Sequence, residues 1–230
     1  MIVVREDITT IPISEVLEPR DGCPVCRLRD MLEERAVTYI TGAAMMEPDV
    51  RIETNKQGFC LTHYQMMLQK RNRLGVALIL ESHLAAVEKR VFGGLPLSGK
   101  RGKAAQAEQE SCFVCHIVDR NMQRMLQNLC RMWEQDREVR TLFSEQTGLC
   151  LPHFSVLAET AAATMGRKAA PEFVKAASEL CQKELQGLRE DVSHFCRMFD
   201  YRNAGENADW GNSKDAVERT VRFLTSRPVK

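Results

Sequence analysis

The sequence lacks any long uninterrupted apolar run. Its most apolar stretch, LGVALIL from Leu74, is followed by the polar residues 81–83 and falls far short of the roughly 20 apolar residues that a membrane span needs. The N-terminus carries Glu6 and Asp7 and has no apolar segment of the kind found in a signal peptide. These absences predict a cytoplasmic protein that has no contact with membranes.

The sequence also has little net charge, with 32 basic residues against 31 acidic ones among its 230 residues. No overall field therefore favours nucleic acid or an anionic surface. Two local basic clusters remain, QKRNR at 69–73 and GKRGK at 99–103. Acidic neighbours balance them and no aromatic side chains interleave, so a nucleic-acid partner is disfavoured.

No catalytic constellation stands out. A Ser/His/Asp arrangement, a glycine-rich phosphate loop and a paired carboxylate motif are all missing, and we predict no catalytic residue. Alternating apolar patterns are missing too, although residues 1–12 could form a short strand or arm. The prediction is an all-α protein that is not an enzyme.

Cysteine, in contrast, is abundant, with nine residues in the chain. Without an export signal, these cysteines favour metal binding or catalysis over a disulfide framework. Six of them fall in tight clusters, whereas Cys130, Cys181 and Cys196 stand singly along helical patterns. We predict these three as small core residues.

The clustered cysteines belong to an internal repeat. CPVCRLRD at 23–30 matches CFVCHIVD at 112–119, and GFCLTHY at 58–64 matches GLCLPHF at 148–154. The offset between the copies is 89 residues for the first element and 90 for the second. The sequence therefore contains Cys-x-x-Cys followed by Cys-x-x-His, twice.

Three cysteines and one histidine close a tetrahedron around Zn²⁺ and leave no position open for a substrate. We predict one such site in each copy. The first comprises Cys23, Cys26, Cys60 and His63, and the second comprises Cys112, Cys115, Cys150 and His153. Two zinc ions are the expected cofactors. An iron-sulfur cluster is the alternative, although the close four-cysteine run of a bacterial ferredoxin is missing.

Two other interpretations of the Cys-x-x-Cys elements are weaker. CFVCH is typical of covalent haem attachment with His116 as an axial ligand, but the first copy has Arg27 at that position. A thioredoxin-like site requires a strand-helix-strand pattern, and none surrounds either element.

The apolar spacing predicts helices after both cysteine pairs and after both histidines. We predict an N-terminal arm and first metal-stapled repeat at 1–92, a flexible linker at 93–111, a second repeat at 112–200, and a tail at 201–230. The tail is expected to dock through Phe199, Tyr201 and Trp210. Its last helix starts near Asn212 and has an apolar side comprising Val217, Val221 and Leu224.

Four motifs carry a resemblance to a known family: CPVCRL, GFCLTHY, GLCLPHF, and FDYRN with its downstream Trp-Gly. Together they resemble an uncharacterised bacterial family, domain of unknown function 6062, which occurs largely among anaerobic Firmicutes. The resemblance covers most of the chain. It implies a bacterial, cytosolic, helical, cysteine-rich protein, and it supplies neither an activity nor catalytic residues.

The function that these observations favour is a non-enzymatic zinc-binding scaffold or interaction module whose partner is another protein. The alternative is an iron-sulfur or thiol-based redox or metal sensor, and nucleic-acid binding ranks third. The sequence leaves the oligomeric state open.

Overall fold

The computed structural model describes residues 11–94, 99–200 and 209–227, and every regular element in these ranges is helical. The all-α class is therefore confirmed. Residues 1–10 of the predicted arm and Tyr201, Arg202 and Asn203 of FDYRN lie outside the described residues. The described helices are α1 (Ile11–Leu17), α2 (Pro24–Thr41), α3 (Pro48–Gln57), α4 (Leu61–Gln69), α5 (Arg73–Phe92), α6 (Gly99–Ala107), α7 (Phe113–Gln135), α8 (Arg137–Ser144), α9 (Leu151–Thr164), α10 (Ala169–Met198) and α11 (Ala216–Thr225), with a 3₁₀ turn at Ala43–Met46.

Helix starts follow the local sequence. Proline occupies the first position of α2 and α3, where its fixed φ suits a helix and its missing N–H costs nothing. Asn72 and Asp136 cap α5 and α8, accepting hydrogen bonds from backbone N–H groups at 3.0 and 2.8 Å. Cys60 and Cys150 hold the N-cap positions of α4 and α9 without a side-chain capping bond, which leaves both sulfurs available for other partners.

The chain forms two compact units, whose boundaries lie within α2 and α7. Unit 1 comprises residues 1–28 and 124–230, and unit 2 comprises residues 29–123. This division differs from the sequence-based one at 92–112. In the sequence-based division each cysteine pair belongs to a separate repeat, whereas unit 1 combines the start of the chain with its C-terminal half.

Unit 1 has an aromatic core between its long helices. Phe173 of α10 is fully buried and packs against Trp133 and Phe143, each with ring centroids 5.2 Å away. The Arg140 guanidinium lies over the Trp133 ring at 4.6 Å, a favourable cation–π geometry. Helix α10 also packs along α9 and α11, so it is the central element of this unit.

The last helix presents a different face to unit 1 from the one that the sequence predicts. Ala216 and Phe223 of α11 are buried, whereas Val217, Val221 and Leu224 are 44, 40 and 51% exposed. The predicted apolar side is therefore wrong, because the larger Phe223 ring determines which face packs. Preceding α11, Trp210 packs edge-on against Phe195 and Phe199, which is the docking predicted for Phe199 and Trp210.

Unit 2 packs α3 and α6 against the long helix α5. The Asn55 carbonyl near the end of α3 accepts a hydrogen bond from Arg90 at 2.9 Å and lies 3.1 Å from His83 Nδ1. Arg90 also forms a two-pronged ion pair with Glu108, at 2.5 and 2.6 Å. The segment predicted as a flexible linker thus contains helix α6 and a residue bonded to α5.

Candidate metal centres

The eight side chains predicted as metal ligands lie in two groups, and within each group the candidate ligand atoms are all within 4.8 Å of one another. Site A comprises Cys23, Cys26, Cys150 and His153. Site B comprises Cys60, His63, Cys112 and Cys115. Each site therefore holds three cysteines and one histidine, the composition that the sequence predicts.

The grouping, however, differs from the sequence prediction. Cys60 and His63 lie with the second cysteine pair, and Cys150 and His153 lie with the first, so the two repeats exchange their Cys-x-x-His elements. Contacts within unit 2 explain one half of the exchange. The Phe113 N–H donates to the Gly58 carbonyl at 3.0 Å, and the Ser111 hydroxyl donates to the Gln57 carbonyl at 2.6 Å. These bonds join the segment before Cys60 to the start of α7.

In site A, the imidazole of His153 presents Nδ1 to the sulfurs. This nitrogen lies 3.1 Å from Cys150 Sγ, 3.3 Å from Cys26 Sγ and 3.6 Å from Cys23 Sγ. The Cys26 and Cys150 sulfurs are 3.7 Å apart. Cys23 is partly exposed and the other three ligands are buried.

Site B repeats this arrangement. His63 Nδ1 lies 3.1 Å from Cys60 Sγ, 3.2 Å from Cys112 Sγ and 3.5 Å from Cys115 Sγ. The Cys60 and Cys115 sulfurs are 3.9 Å apart. His63 and Cys112 are buried, whereas Cys60 and Cys115 are partly exposed.

These distances fit one tetrahedral ion in each site. With Zn–S bonds of about 2.3 Å, two sulfurs of a tetrahedron stand about 3.8 Å apart, and a histidine nitrogen bound at about 2.0 Å stands slightly closer to each sulfur. The sulfur separations of 3.7 and 3.9 Å match that value. They also exceed the roughly 2.05 Å of a disulfide bond, and all nine cysteines are free thiols.

Both sites lie at helix N-termini, α2 and α9 for site A and α4 and α7 for site B. The unpaired N–H groups of a first helical turn carry partial positive charge, which favours thiolates. One such N–H group, that of Cys115, donates a hydrogen bond to Cys112 Sγ at 3.5 Å. The cysteine spacing and the helix start therefore act together to assemble an anionic donor set.

The crowding of the thiols perturbs their ionisation. Burial, together with the neighbouring Cys112, raises the pKa of Cys115 to about 12, and burial raises the pKa of Cys112. Hydrogen bonding with Cys23 raises the pKa of Cys150 to about 12, and hydrogen bonding with Cys150 raises that of Cys26. Several thiols this close ionise together only when a cation compensates them, which is what a divalent metal supplies.

Two glutamines that the sequence analysis missed hold the exchanged elements together. Gln146 Oε1 accepts from Arg27 at 2.6 Å, and Gln146 Nε2 donates to the Leu17 carbonyl at 2.7 Å. In unit 2, Gln57 Oε1 lies 3.1 Å from His116 Nδ1. Gln57 and Gln146 lie at nearly the same place in the two copies, three residues before Cys60 and four residues before Cys150. A glutamine that recurs in the repeat was the available sequence signal.

His116 and Arg27 thus play the same structural part in the two sites. Each follows the second cysteine of its pair and bonds to the glutamine of the opposite repeat. His116 is exposed and lies outside both ligand groups. This position agrees with the sequence argument against covalent haem attachment.

Glu33 is a second residue that the sequence analysis missed. Its carboxylate Oε1 lies 3.8 Å from Nε2 of His63, the ring nitrogen opposite the sulfurs, and both side chains are buried. Arg29 donates to the same oxygen at 3.3 Å. A carboxylate behind a ligating histidine orients the ring and raises its basicity. The corresponding position of the second copy holds Met122, so this support is specific to site B.

We expect Glu33→Gln to weaken metal binding at site B about 10- to 100-fold, the range found for such outer carboxylates, and to leave site A unchanged. Competition against a chromophoric chelator measures both affinities on one sample. Glu34→Gln, on the exposed side of the same helix, is the matched control and should leave both affinities unaltered. Equal affinities in Glu33→Gln and wild type would show that the carboxylate does not support His63.

A cavity of about 230 Å³ lies beside site A. Its walls include Cys23, Cys26, Cys150, Gly148, Glu184 and Arg219. Burial raises the pKa of the Glu184 carboxyl group. A Cβ at position 148 would stand 2.3 Å from Glu184 Oε2, so glycine at this position allows the carboxylate to approach the segment that leads to Cys150.

The remaining sequence predictions have mixed outcomes. Cys130 and Cys181 are buried, as expected of core residues, whereas Cys196 is exposed, so the prediction for Cys196 is wrong. In the basic cluster 69–73, Lys70 is paired with Glu34. None of the described helices is long and apolar enough to cross a bilayer.

The fold and the two sites define a helical protein with paired Cys₃His centres, each formed at two helix N-termini. The chain belongs to the family of unknown function DUF6062, whose model matches residues 4–230. Neither a curated protein nor a solved structure matches the chain.

Proposed function

We propose that this protein is a non-enzymatic, zinc-binding helical scaffold that holds two structural ions and presents its helical surface to another protein. The observation that carries the proposal is the ligand geometry. Each of the two groups places four donor atoms within 4.8 Å of one another. Such a set satisfies all four positions of a tetrahedral ion, so the ion has no open position for a substrate.

The close spacing supports a single ion over an iron-sulfur cluster. A cluster distributes its ligands over two or more iron ions bridged by sulfide, so thiolates on different irons stand farther apart than those around one metal ion. All four donor atoms of each site lie within 4.8 Å of one another, which suits a single ion. Among single ions, three thiolates and an imidazole favour zinc, because its borderline softness suits both ligand types.

The positions of the ligands support a structural role. The contacts between the first cysteine pair and Cys150 or His153 span 124 to 130 residues, and those between Cys60 or His63 and the second cysteine pair span 49 to 55. An ion at each site joins helices that are remote in sequence, which is how structural zinc contributes to folding. The scaffold proposed here is therefore one in which metal binding and folding are coupled.

Metal analysis of the full chain, purified without oxygen, tests the proposal. We expect two zinc ions per chain and no visible absorption. Replacing zinc by Co²⁺ should produce the intense visible absorption of tetrahedral cobalt with thiolate ligands. Iron with sulfide and a brown colour would instead support a redox or metal sensor, and a chain that binds neither metal would refute the proposal.

A further inference from the structure

We propose that site A is the exchangeable zinc site of this protein and that Glu184 is the transient ligand through which zinc enters and leaves it. This inference rests on the proposed function, because it requires zinc at both sites. It adds a dynamic role for one of them. The observations that carry it are the cavity beside site A, the position of Glu184 in that cavity, and the difference between the surroundings of the two sites.

The cavity supplies a route to the metal. It has a volume of about 230 Å³ and three of the four site A ligands line it, all of them cysteines. A closed tetrahedral site exchanges its metal slowly unless another donor can approach the ion. A space of this size admits a water molecule or a small chelating group, so the sulfur face of site A is open to an incoming ligand.

Glu184 supplies the donor. Its carboxylate lines the cavity with Cys23 and lies against Gly148, two residues before Cys150. The charge of Glu184 interacts with that of Arg219 and, to a smaller extent, with that of Cys23. Arg219 lines the same cavity, but its guanidinium donates to Asp191, Asp215 and the Asn212 carbonyl. The hydrogen bonds of this arginine are thus directed away from Glu184.

The exchange step involves one bond made and one broken. A carboxylate oxygen of Glu184 binds zinc and the Zn–S bond to Cys23 breaks, which leaves Cys23 as a thiolate solvated by water. Cys23 is the one partly exposed ligand of site A, so it is the sulfur that water reaches. Zinc is still held by Cys26, Cys150 and His153. An external acceptor can then take the coordination position that Glu184 occupies.

Site B has a different neighbour. Its nearby carboxylate, Glu33, lies behind His63 on the side opposite the sulfurs and is bonded to Arg29. In that position it strengthens an existing ligand and does not offer a replacement for one. Water reaches Cys60 and Cys115 of site B as well, but exchange also requires a replacement carboxylate on the sulfur side, so we expect zinc at site B to be retained while zinc at site A exchanges.

Zinc release from the fully loaded chain into an excess of a chromophoric chelator tests the inference. We expect two phases of one zinc each. Site A is assigned to the fast phase by its absence in Cys150→Ser, and site B to the slow phase by its absence in Cys112→Ser. Glu184→Gln should slow the fast phase about tenfold, within the range known for groups that act beside a metal, and leave the slow phase unchanged.

Glu179→Gln is the matched control, since Glu179 lies on α10 as well, is exposed, and pairs with Lys175. It should release zinc as wild type does. Two zinc ions released at one common rate, a fast phase that belongs to site B, or wild-type kinetics in Glu184→Gln would each overturn the inference while the proposed function stands. A wild-type chain without zinc would overturn both.

Discussion

A chain carrying Cys60→Ser and Cys112→Ser is expected to retain one zinc ion, whereas a chain carrying Cys112→Ser and Cys150→Ser is expected to retain none. The first pair of substitutions falls within site B, and the second pair removes one sulfur from each site. If each repeat held its own metal, these two results would be exchanged. The comparison therefore tests the pairing of ligands independently of the number of metal ions that the wild type binds.

The measurement is zinc per chain after gel filtration with a chelator whose zinc affinity lies between those of a four-ligand and a three-ligand site, so that only a site lacking a ligand loses its ion at equilibrium. Cys196→Ser is the control for the loss of a thiol, because Cys196 is exposed and lies outside both groups. It should retain both ions. One zinc in the Cys112/Cys150 variant and none in the Cys60/Cys112 variant would restore the pairing within each repeat.

Removal of both ions is expected to abolish cooperative folding. Structural zinc contributes on the order of 10 kcal/mol per ion in small domains, whereas the whole stability of a typical protein is only about 5 to 15 kcal/mol. Two such contributions exceed that total. The metal-free chain should therefore lack a stable native state, although its helices retain local helical preference.

Near-UV circular dichroism and thermal unfolding measure this effect. We expect the chelated chain to lose its near-UV signal and its cooperative transition, and to recover both on addition of Zn²⁺ but not of Mg²⁺, which prefers oxygen ligands. Two single substitutions test the stability of each unit on its own. Cys150→Ser should destabilise unit 1 and Cys112→Ser unit 2. A metal-free chain that melts within a few degrees of the zinc-loaded one would show that the ions do not support the fold.

Several features of the sites were predictable from the sequence because they depend on local patterns. Three cysteines and a histidine suffice for a closed zinc site, and Cys-x-x-His places a thiolate and an imidazole on one helical turn. Their repetition indicated two sites. The apolar spacing of 3.6 residues and the lack of strand patterns predicted the all-α class, which the described residues confirm.

The residues that support the ligands were harder to predict. Glu33 and Glu184 are ordinary surface residues by sequence pattern, since glutamate on a helix is usually solvated. Their positions beside His63 and in the site A cavity depend on packing between helices. The face of α11 was mispredicted for the same reason: a single buried ring, Phe223, outweighed three smaller apolar side chains.

The sequence by itself determined the donor types, their number and the helical class, because coordination chemistry and helix formation both depend on residue type and close spacing. Only the tertiary structure decided which cysteine pair meets which Cys-x-x-His. Lengthening a loop from the 34-residue sequence separation of Cys26 and Cys60 to the 124-residue separation of Cys26 and Cys150 costs only about 1 kcal/mol in closure entropy. That cost is small beside a buried hydrogen-bond network such as the one around Gln146, so the contacts between helices determine the pairing.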